Sequence, residues 1–446
     1  MDVSTQTDRQ RPYVAGVDTS TQSCKVAILD PTTEQIVRQG RGTHPVGTQI
    51  NPEYWWQGFL EAVDDAGGLD DVAALSVGGQ QHGMVCLDAD GTVIRPALLW
   101  NDTRSGQAAA DLVDELGAAW WADATGSVPV ASLTVTKLRW LADHEPDNAS
   151  RIAAICLPHD WLTWRISGST DLHDLVTDRS DASGTGYMDR QEPVYRYDIL
   201  ARALHITEDA AQQIILPQIL EPWQVAGHGD AARGWGEIVL GPGCGDNAGS
   251  ALGVDLAPGR ALISIGTSGV AAAVSESSVA DPSGLVTGFS DATGRWLPLA
   301  CTLNASRIID AIGSVIGADY AELNELALSV PDAGGLTLTP YFEGERTPNL
   351  PDATASITGM TLANSDRAHM ARAAVEGLLD LMRGALDAVR NLGVPVEKAL
   401  LVGGGAQSKA VQELAAEHLD AEVTLPETSE YVAIGAAKQA ARVIAK

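Results

Sequence analysis

Two polar turns and one glycine-rich segment carry the residue types from which a phosphate-handling site can be built. The apolar run Tyr13 to Val17 leads into Asp18-Thr19-Ser20-Thr21-Gln22-Ser23, and Lys25 to Leu29 resumes the apolar pattern. Much later, Ala261 to Ile265 leads into Gly266-Thr267-Ser268-Gly269 and then Val270 to Val274. Tight strand-to-strand turns of this kind can aim backbone N–H groups and hydroxyls at phosphate oxygens. The same composition also serves turn geometry alone, so neither turn decides the matter by itself. Asp18 has two readings. It can hold a water of a nucleotide-bound Mg2+, an ion that keeps several waters, or it can be a solvated aspartate in an Asx-turn. The pairing of two such turns favours the first.

The segment Gly241-Pro242-Gly243-Cys244-Gly245-Asp246-Asn247-Ala248-Gly249 places a carboxylate among glycines. Phosphoryl transfer needs positioning, charge neutralisation and a base for the attacking hydroxyl, and Asp246 can be that base. A flexible interdomain loop is the alternative. Gly78-Gly79-Gln80-Gln81-His82-Gly83 follows the apolar run Val72 to Val77, so amides and an imidazole stand at a strand end, suited to a polyhydroxylated ligand. A lone histidine such as His82 is more often a structural hydrogen-bonder than a catalytic group, and no second ligand stands at metal-binding spacing from it. In Leu99-Trp100-Asn101-Asp102-Thr103-Arg104, Trp100 is either core or ligand-facing, and Asp102 with Arg104 is either part of a site or an exposed pair of small weight. Leu400 to Ala406 runs from a strand into Gly403-Gly404-Gly405, where a base and ribose can lie against bare backbone; it is not a G-x-G-x-x-G fingerprint. Walker A, HRD/DFG and G-x-S-x-G motifs do not occur.

The elements that must position these residues alternate between strand and helix. Strand, polar turn, strand, loop, strand is expected at Tyr13 to Arg38 and again at Ala261 to Ala300. Pro52 to Ala66 has an amphipathic helical pattern. Ser365 is expected to cap a helix through Asn391, with Met370, Ala374, Leu378, Met382 and Leu386 on one stripe and Gly393 and Pro395 closing it. Strands at Ala399 to Val402 and Ala421 to Leu425 flank a helix after Ser408. This pattern predicts an α/β fold of layered sheets with helices on their faces. The length of 446 residues predicts two domains. Their boundary is expected near Gly241 to Ala257, giving domains 1–248 and 249–446.

Composition narrows the partners. With 29 Lys+Arg against 58 Asp+Glu the net charge is −29, a surface that repels nucleic acid and anionic lipid. No apolar stretch is long enough to span a bilayer. The polar opening MDVSTQTDRQR lacks the apolar core of a secretion signal. The 5 cysteines are dispersed, as reduced thiols in the cytoplasm are. The expectation is a cytoplasmic protein with no nucleic acid and no membrane partner.

In order along nearly the whole chain, a series of segments resembles the FGGY carbohydrate kinases. They are DTSTQSCK (Asp18 to Lys25), NPEYWW (Asn51 to Trp56), GQQHGM (Gly79 to Met84), LLWNDTR (Leu98 to Arg104), LPHDWLTWRISG (Leu157 to Gly168), DASGTGYMD (Asp181 to Asp189), GCGDNAGSALG (Gly243 to Gly253), SIGTSGV (Ser264 to Val270), PYFEGERTPNL (Pro340 to Leu350) and LVGGGAQS (Leu401 to Ser408). The pairing of GQQHG with WND is more similar to members acting on xylulose than to those acting on glycerol. The resemblance implies two ribonuclease-H-like domains of the actin/Hsp70 ATPase type with a cleft between them, the N-terminal one binding sugar and the C-terminal one nucleotide. It implies ATP and Mg2+ as cofactors and the conversion of D-xylulose to D-xylulose 5-phosphate.

By the same resemblance Asp246 is the general base for the 5-hydroxyl, and Gln81, His82, Asp246 and Asn247 contact the ketose, with Trp100 and Asp102 on the sugar side. Asp18 supports the Mg2+ through water. Thr21, Ser23, Lys25, Gly266, Thr267 and Ser268 face the phosphates, and Gly404 and Gly405 the adenosine. A kinase for ribulose, a pentitol or gluconate stays open, as does a non-catalytic sugar or nucleotide sensor, although binding alone needs no base. A homodimer is possible. Two departures stand out. Ser20 occupies a position that is glycine in many members, which bears on how closely backbone approaches phosphate. The chain also ends at Lys446, soon after Gly435-Ala436-Ala437, which is expected to affect subunit contacts more than chemistry.

Overall fold

The structure, a computed structural model, describes residues 11–427 and 429–445. The polar segment 1–10, on which most of the reading against a secretion signal rests, lies outside the described residues. The chain divides into two compact units: Met1–Asp255 with Ser290–Gly294 and Glu430–Lys446, and Leu256–Phe289 with Arg295–Ser429. A single cut in the sequence does not describe this division, because the end of the chain belongs to the first unit.

In the first unit the apolar runs become β1 (Tyr13–Thr19), β2 (Ser23–Leu29), β3 (Ile36–Thr43) and β4 (Val72–Gly79), joined by the short β5 (Gly227–His228), β6 (Val239–Leu240) and β7 (Cys244–Gly245). The sheet order is β5-β6-β4-β1-β2-β3, with β7 also beside β4. β1 pairs antiparallel with β2 and parallel with β4, while β6 and β7 run parallel to β4. Three antiparallel strands followed by parallel ones is the ribonuclease-H-like arrangement.

Helix α1 (Glu53–Asp65) begins where the Asn51 side chain accepts from the Glu53 N–H at 3.0 Å. It ends where Gly68, at φ +88°, donates its N–H back to the Val63 carbonyl. Its buried stripe, Trp55, Trp56, Phe59, Ala62 and Val63, covers one face of the sheet. Each large side chain of that stripe contributes about 1.5–3 kcal/mol of burial. The opposite face, with Val14, Ala27, Leu29 and Ala74, is covered by Ala433, Ala437 and Ala440 of the last helix, Tyr431–Ile444. Small residues let that helix come close; a Cβ on Gly16 of β1 would stand 1.8 Å from the Ala433 carbonyl.

The second unit repeats the plan with β8 (Gly259–Ile265), β9 (Gly269–Ala273), β10 (Val286–Ser290), β11 (Trp296–Thr302), β12 (Val396–Val402) and β13 (Glu422–Thr424). The order is β10-β11-β9-β8-β12-β13. β8 pairs antiparallel with β9 and parallel with β12, as β1 does with β2 and β4. The long helix spans Arg367–Arg390, capped by Asp366, whose carboxylate accepts from the His369 N–H, and not by Ser365. Of the expected stripe, Ala374, Leu378, Met382 and Leu386 are buried in the core of this unit and Met370 packs against it half-buried. Ser408 caps the helix Lys409–Leu419 as its sequence position predicts. The two α/β domains, each with a mixed sheet flanked by helices, have the actin/Hsp70-type ATPase fold. Among the described residues no helix is long and apolar enough to cross a membrane, and the cysteines are free thiols.

Candidate active site

In the first unit the strand ends bring the sequence-predicted residues together in two groups. The first is the turn after β1. Asp18 lies within β1, paired with Lys25 of β2 and with Gly78 of β4, so it is a strand residue and not a solvated turn aspartate. Its Oδ2 accepts from the Ser20 hydroxyl at 3.3 Å, and its Oδ1 is buried with no hydrogen-bond partner. Burial pushes the Asp18 carboxyl up to about 6, against the pull of Lys25. Lys25 Nζ stands 4.0 Å from Asp18 Oδ2 and 2.5 Å from Glu430 Oε2. Glu430 adjoins the last helix and had no sequence signal, since it is 405 residues from Lys25.

Ser20 does not loosen this turn. Its N–H donates to the Ser23 carbonyl at 3.0 Å and its hydroxyl bridges to Asp18. Thr21 is half-buried, whereas the Ser23 side chain is buried at the start of β2. Thr21 Oγ1 accepts from the Trp100 indole N–H at 3.2 Å. Trp100 is 45% exposed, which removes the core reading for it. Asp102 is buried and accepts from Arg104 Nε at 2.8 Å, so the exposed-pair reading fails as well.

The second group lies at the ends of β4 and β7. The glycine-rich segment is not a loop. Cys244–Gly245 pairs with Gly78–Gly79, and Asp246 opens the helix Asp246–Gly253. Gly243 must be glycine here: φ is +85°, and a Cβ would meet the His159 ring at 2.2 Å. Asp246 Oδ1 accepts from the Asn247 N–H at 2.8 Å and from Asn247 Nδ2 at 3.1 Å. Asn247 Nδ2 also reaches Gln81 Oε1 at 3.3 Å. Burial, and then the neighbouring Asp18 charge, push the Asp246 carboxyl up to about 7 against the Asn247 N–H. His82 sits nearby at φ +69°, its Nδ1 2.7 Å from the Gly184 carbonyl.

Behind both groups lies a cluster the sequence left without a role. His159, fully buried, places Nδ1 2.6 Å from Asp181 Oδ2 and Nε2 3.3 Å from Asp160 Oδ1. LPHDWL and DASG contained these residues, but nothing local shows that two segments more than 20 residues apart in sequence converge. Lys137 is also fully buried, its Nζ bonded to the Ser132 carbonyl. Burial drives its amine down to about 7, opposed by Asp102.

In the second unit the turn after β8 projects Thr267 and Ser268 outward, both exposed. Its carbonyls are tied down. Ser306 N–H donates to Gly266 at 2.9 Å and Ala305 N–H to Thr267 at 3.1 Å. The glycine turn after β12 forms a short helix, Gly404–Gln407, in which Gly404 is exposed and Gly405 packs against Ile265. A Cβ at 405 would approach Ile265 Cγ2 to 2.3 Å, so this turn is fitted to the strand that delivers Gly266.

A mixed sheet duplicated in this way, with a hydroxyl-bearing turn after the first strand of each copy, defines the actin-like fold class. Residues 13–253 match the N-terminal domain of the FGGY family of carbohydrate kinases and residues 261–444 match its C-terminal domain. The chain belongs to that family. It is 43% identical over 444 residues to a xylulose kinase of Streptomyces coelicolor, covering 97% of this chain and 88% of that protein. A xylulose kinase of Streptomyces rubiginosus is 41% identical with the same coverage. The crystal structure of a xylulose kinase from Bifidobacterium adolescentis superposes with a TM-score of 0.92 at 51% identity, covering 97% of this chain and 93% of that one.

Proposed function

We propose that this sugar kinase transfers the γ-phosphoryl group of ATP to the 5-hydroxyl of D-xylulose, with Asp246 as general base. The observation that carries the reading is the Asp246 carboxylate itself. One oxygen is fixed by two donors from Asn247, and its proton affinity is raised to about 7, near the value at which a base both exists and accepts a proton effectively. Gln81, His82 and Asn247 orient the ketose, with Trp100 and Asp102 beside them.

Thr21, Ser23 and Lys25 in the first unit, and Gly266, Thr267 and Ser268 in the second, bind the phosphates, while Gly404 and Gly405 face the adenosine. The orphaned buried Oδ1 of Asp18 suits a hydrated cation, because an isolated buried acceptor is costly unless something satisfies it. Mg2+, when bound, neutralises charge on the phosphoryl oxygens. The choice of D-xylulose rests on kinship with xylulose kinases. It is tested by assaying ATP consumption with D-xylulose, ribulose, pentitols and gluconate. A kcat/KM for any other member of this panel exceeding that for D-xylulose overturns the substrate assignment while leaving the kinase class intact.

A further inference from the structure

His159 belongs to no group that binds or reacts in the scheme above, yet it is joined to it by an unbroken chain of hydrogen bonds. Its ring is fully buried and faces three carboxylates: Asp181 at 2.6 Å, Asp160 at 3.3 Å and Asp178 at 3.9 Å. Asp178 caps the turn Arg179–Ala182, accepting from the N–H groups of Ser180 at 2.8 Å and Asp181 at 3.0 Å. Ser180 then holds two residues of the site. Its carbonyl accepts from Gln81 Nε2 at 3.0 Å, and its hydroxyl accepts from the N–H of Gly245, immediately before Asp246, at 3.0 Å. Gln81 in turn receives Asn247, which clamps Asp246.

Burial raises Asp160, Asp178 and Asp181, so this cluster is relieved by protons or by a cation, because an uncompensated buried charge is strongly destabilising. A shared metal ion does not fit. Ligand atoms around such an ion stand roughly 3 Å or more apart when each bond is about 2 Å, whereas Nδ1 and Asp181 Oδ2 are at hydrogen-bond distance, 2.6 Å. The cationic group that the geometry places among them is the His159 imidazolium, 2.6 Å from Asp181 Oδ2. Burial opposes its charge, but Asp160, Asp181 and Asp178 outweigh that and lift it to about 10.

We propose that His159 is a positioning residue: shared by Asp160, Asp178 and Asp181, its imidazolium fixes the turn at Ser180 that holds Gln81 and Gly245, and so aims the Asp246 carboxylate. This rests on Asp246 being the base. The test compares His159→Gln, which removes the charge, with His159→Lys, which restores a cation, using the panel sugar that the wild type phosphorylates best. Expected for His159→Gln is a fall in kcat/KM for the sugar of about 30-fold with KM for ATP within about twofold, and for His159→Lys recovery to within about fivefold of wild type.

Ser180→Ala, which deletes one hydroxyl and keeps His159 and all three carboxylates, should lower the same parameter by about 3–10-fold. Native sugar kinetics in His159→Gln, or a Lys variant no better than the Gln variant, overturns the proposal. Should His159→Gln not fold, unchanged kinetics in Ser180→Ala overturns it instead. Asp246→Asn is measured alongside. Activity retained there refutes the base assignment, whereas activity lost there but intact in His159→Gln refutes only the role of His159.

Discussion

The indole N–H of Trp100 donates to the hydroxyl of Thr21 at 3.2 Å. One residue belongs to the WND motif on the proposed sugar side, the other to the polar turn proposed to meet phosphate. Because Trp100 is about half exposed, this bond is expected to add little to stability and to bear instead on the placement of the turn. Trp100→Phe keeps the ring and deletes the donor. We predict a fall in kcat/KM for the sugar of about 3–10-fold, the usual range for one neutral hydrogen bond, with the thermal midpoint unchanged. Steady-state kinetics beside a melting curve checks both halves; a native rate leaves the bond without a role.

The rate should depend on Asp246 in two ways. Asp246→Ala is expected to retain ADP binding and to lose sugar phosphorylation by about 10³-fold or more, the upper part of the range for a general base. In the wild type, a base lifted to about 7 must lose its proton before it can act. The kcat/KM for sugar should therefore rise with pH and level off above neutrality. Burial, and then the Asp18 charge, raise Asp246, so the limb is expected to report Asp246. A flat profile between pH 5 and pH 8 contradicts the assignment.

Stability should report the same shift with a definite sign. The folded value of Asp246 is about 7 and the ordinary value 3.8, so between these the folded chain binds more protons than the unfolded one. Its contribution is complete below pH 3.8 and is lost as pH rises through 7. Asp246→Asn should accordingly be more stable than wild type at pH 8, by about 1–2 kcal/mol as functional carboxylates often cost, and the gap should close towards pH 4. Denaturant unfolding at the two pH values measures it.

Lys137 has the opposite sign. Its folded value lies near 7 against an ordinary 10.5, so in that window the unfolded chain holds the extra proton and stability climbs with pH. Lys137→Met should gain on the wild type at pH 6.5 and lose that advantage near pH 10. An advantage that does not change with pH would show that packing, not charge, governs the site.

Much of this was legible in the sequence because strands and turns announce themselves locally. The two strand–turn–strand units, the helices after Pro52 and Ser408, and the chemistry-bearing residues at strand ends all follow from short patterns. Other features depended on contacts that no short pattern encodes. Glu430 reaches Lys25 from 405 residues away, and the convergence of His159 with Asp181 needs the folded sheet. The glycines around Asp246 left an interdomain loop open as an alternative, yet Gly243 and Gly245 are small because His159 and Gln81 press against them. Trp100 could not be placed by type, since indoles fill cores as readily as they line sites. The cap at Asp366 instead of Ser365 reflects two adjacent residues that both cap well.

The helix Tyr431–Ile444 lies against the sheet that begins at Tyr13 and against the helix that Asp246 opens, where Gly435 would admit no Cβ beside the Gly249 carbonyl. A ribosome therefore releases the sheet of the first unit with one face bare, and it stays bare until translation has passed residue 444. Until then Val14, Ala27, Leu29 and Ala74 have no helix over them. The core of the first unit is therefore completed only by a segment made after the whole of the second unit.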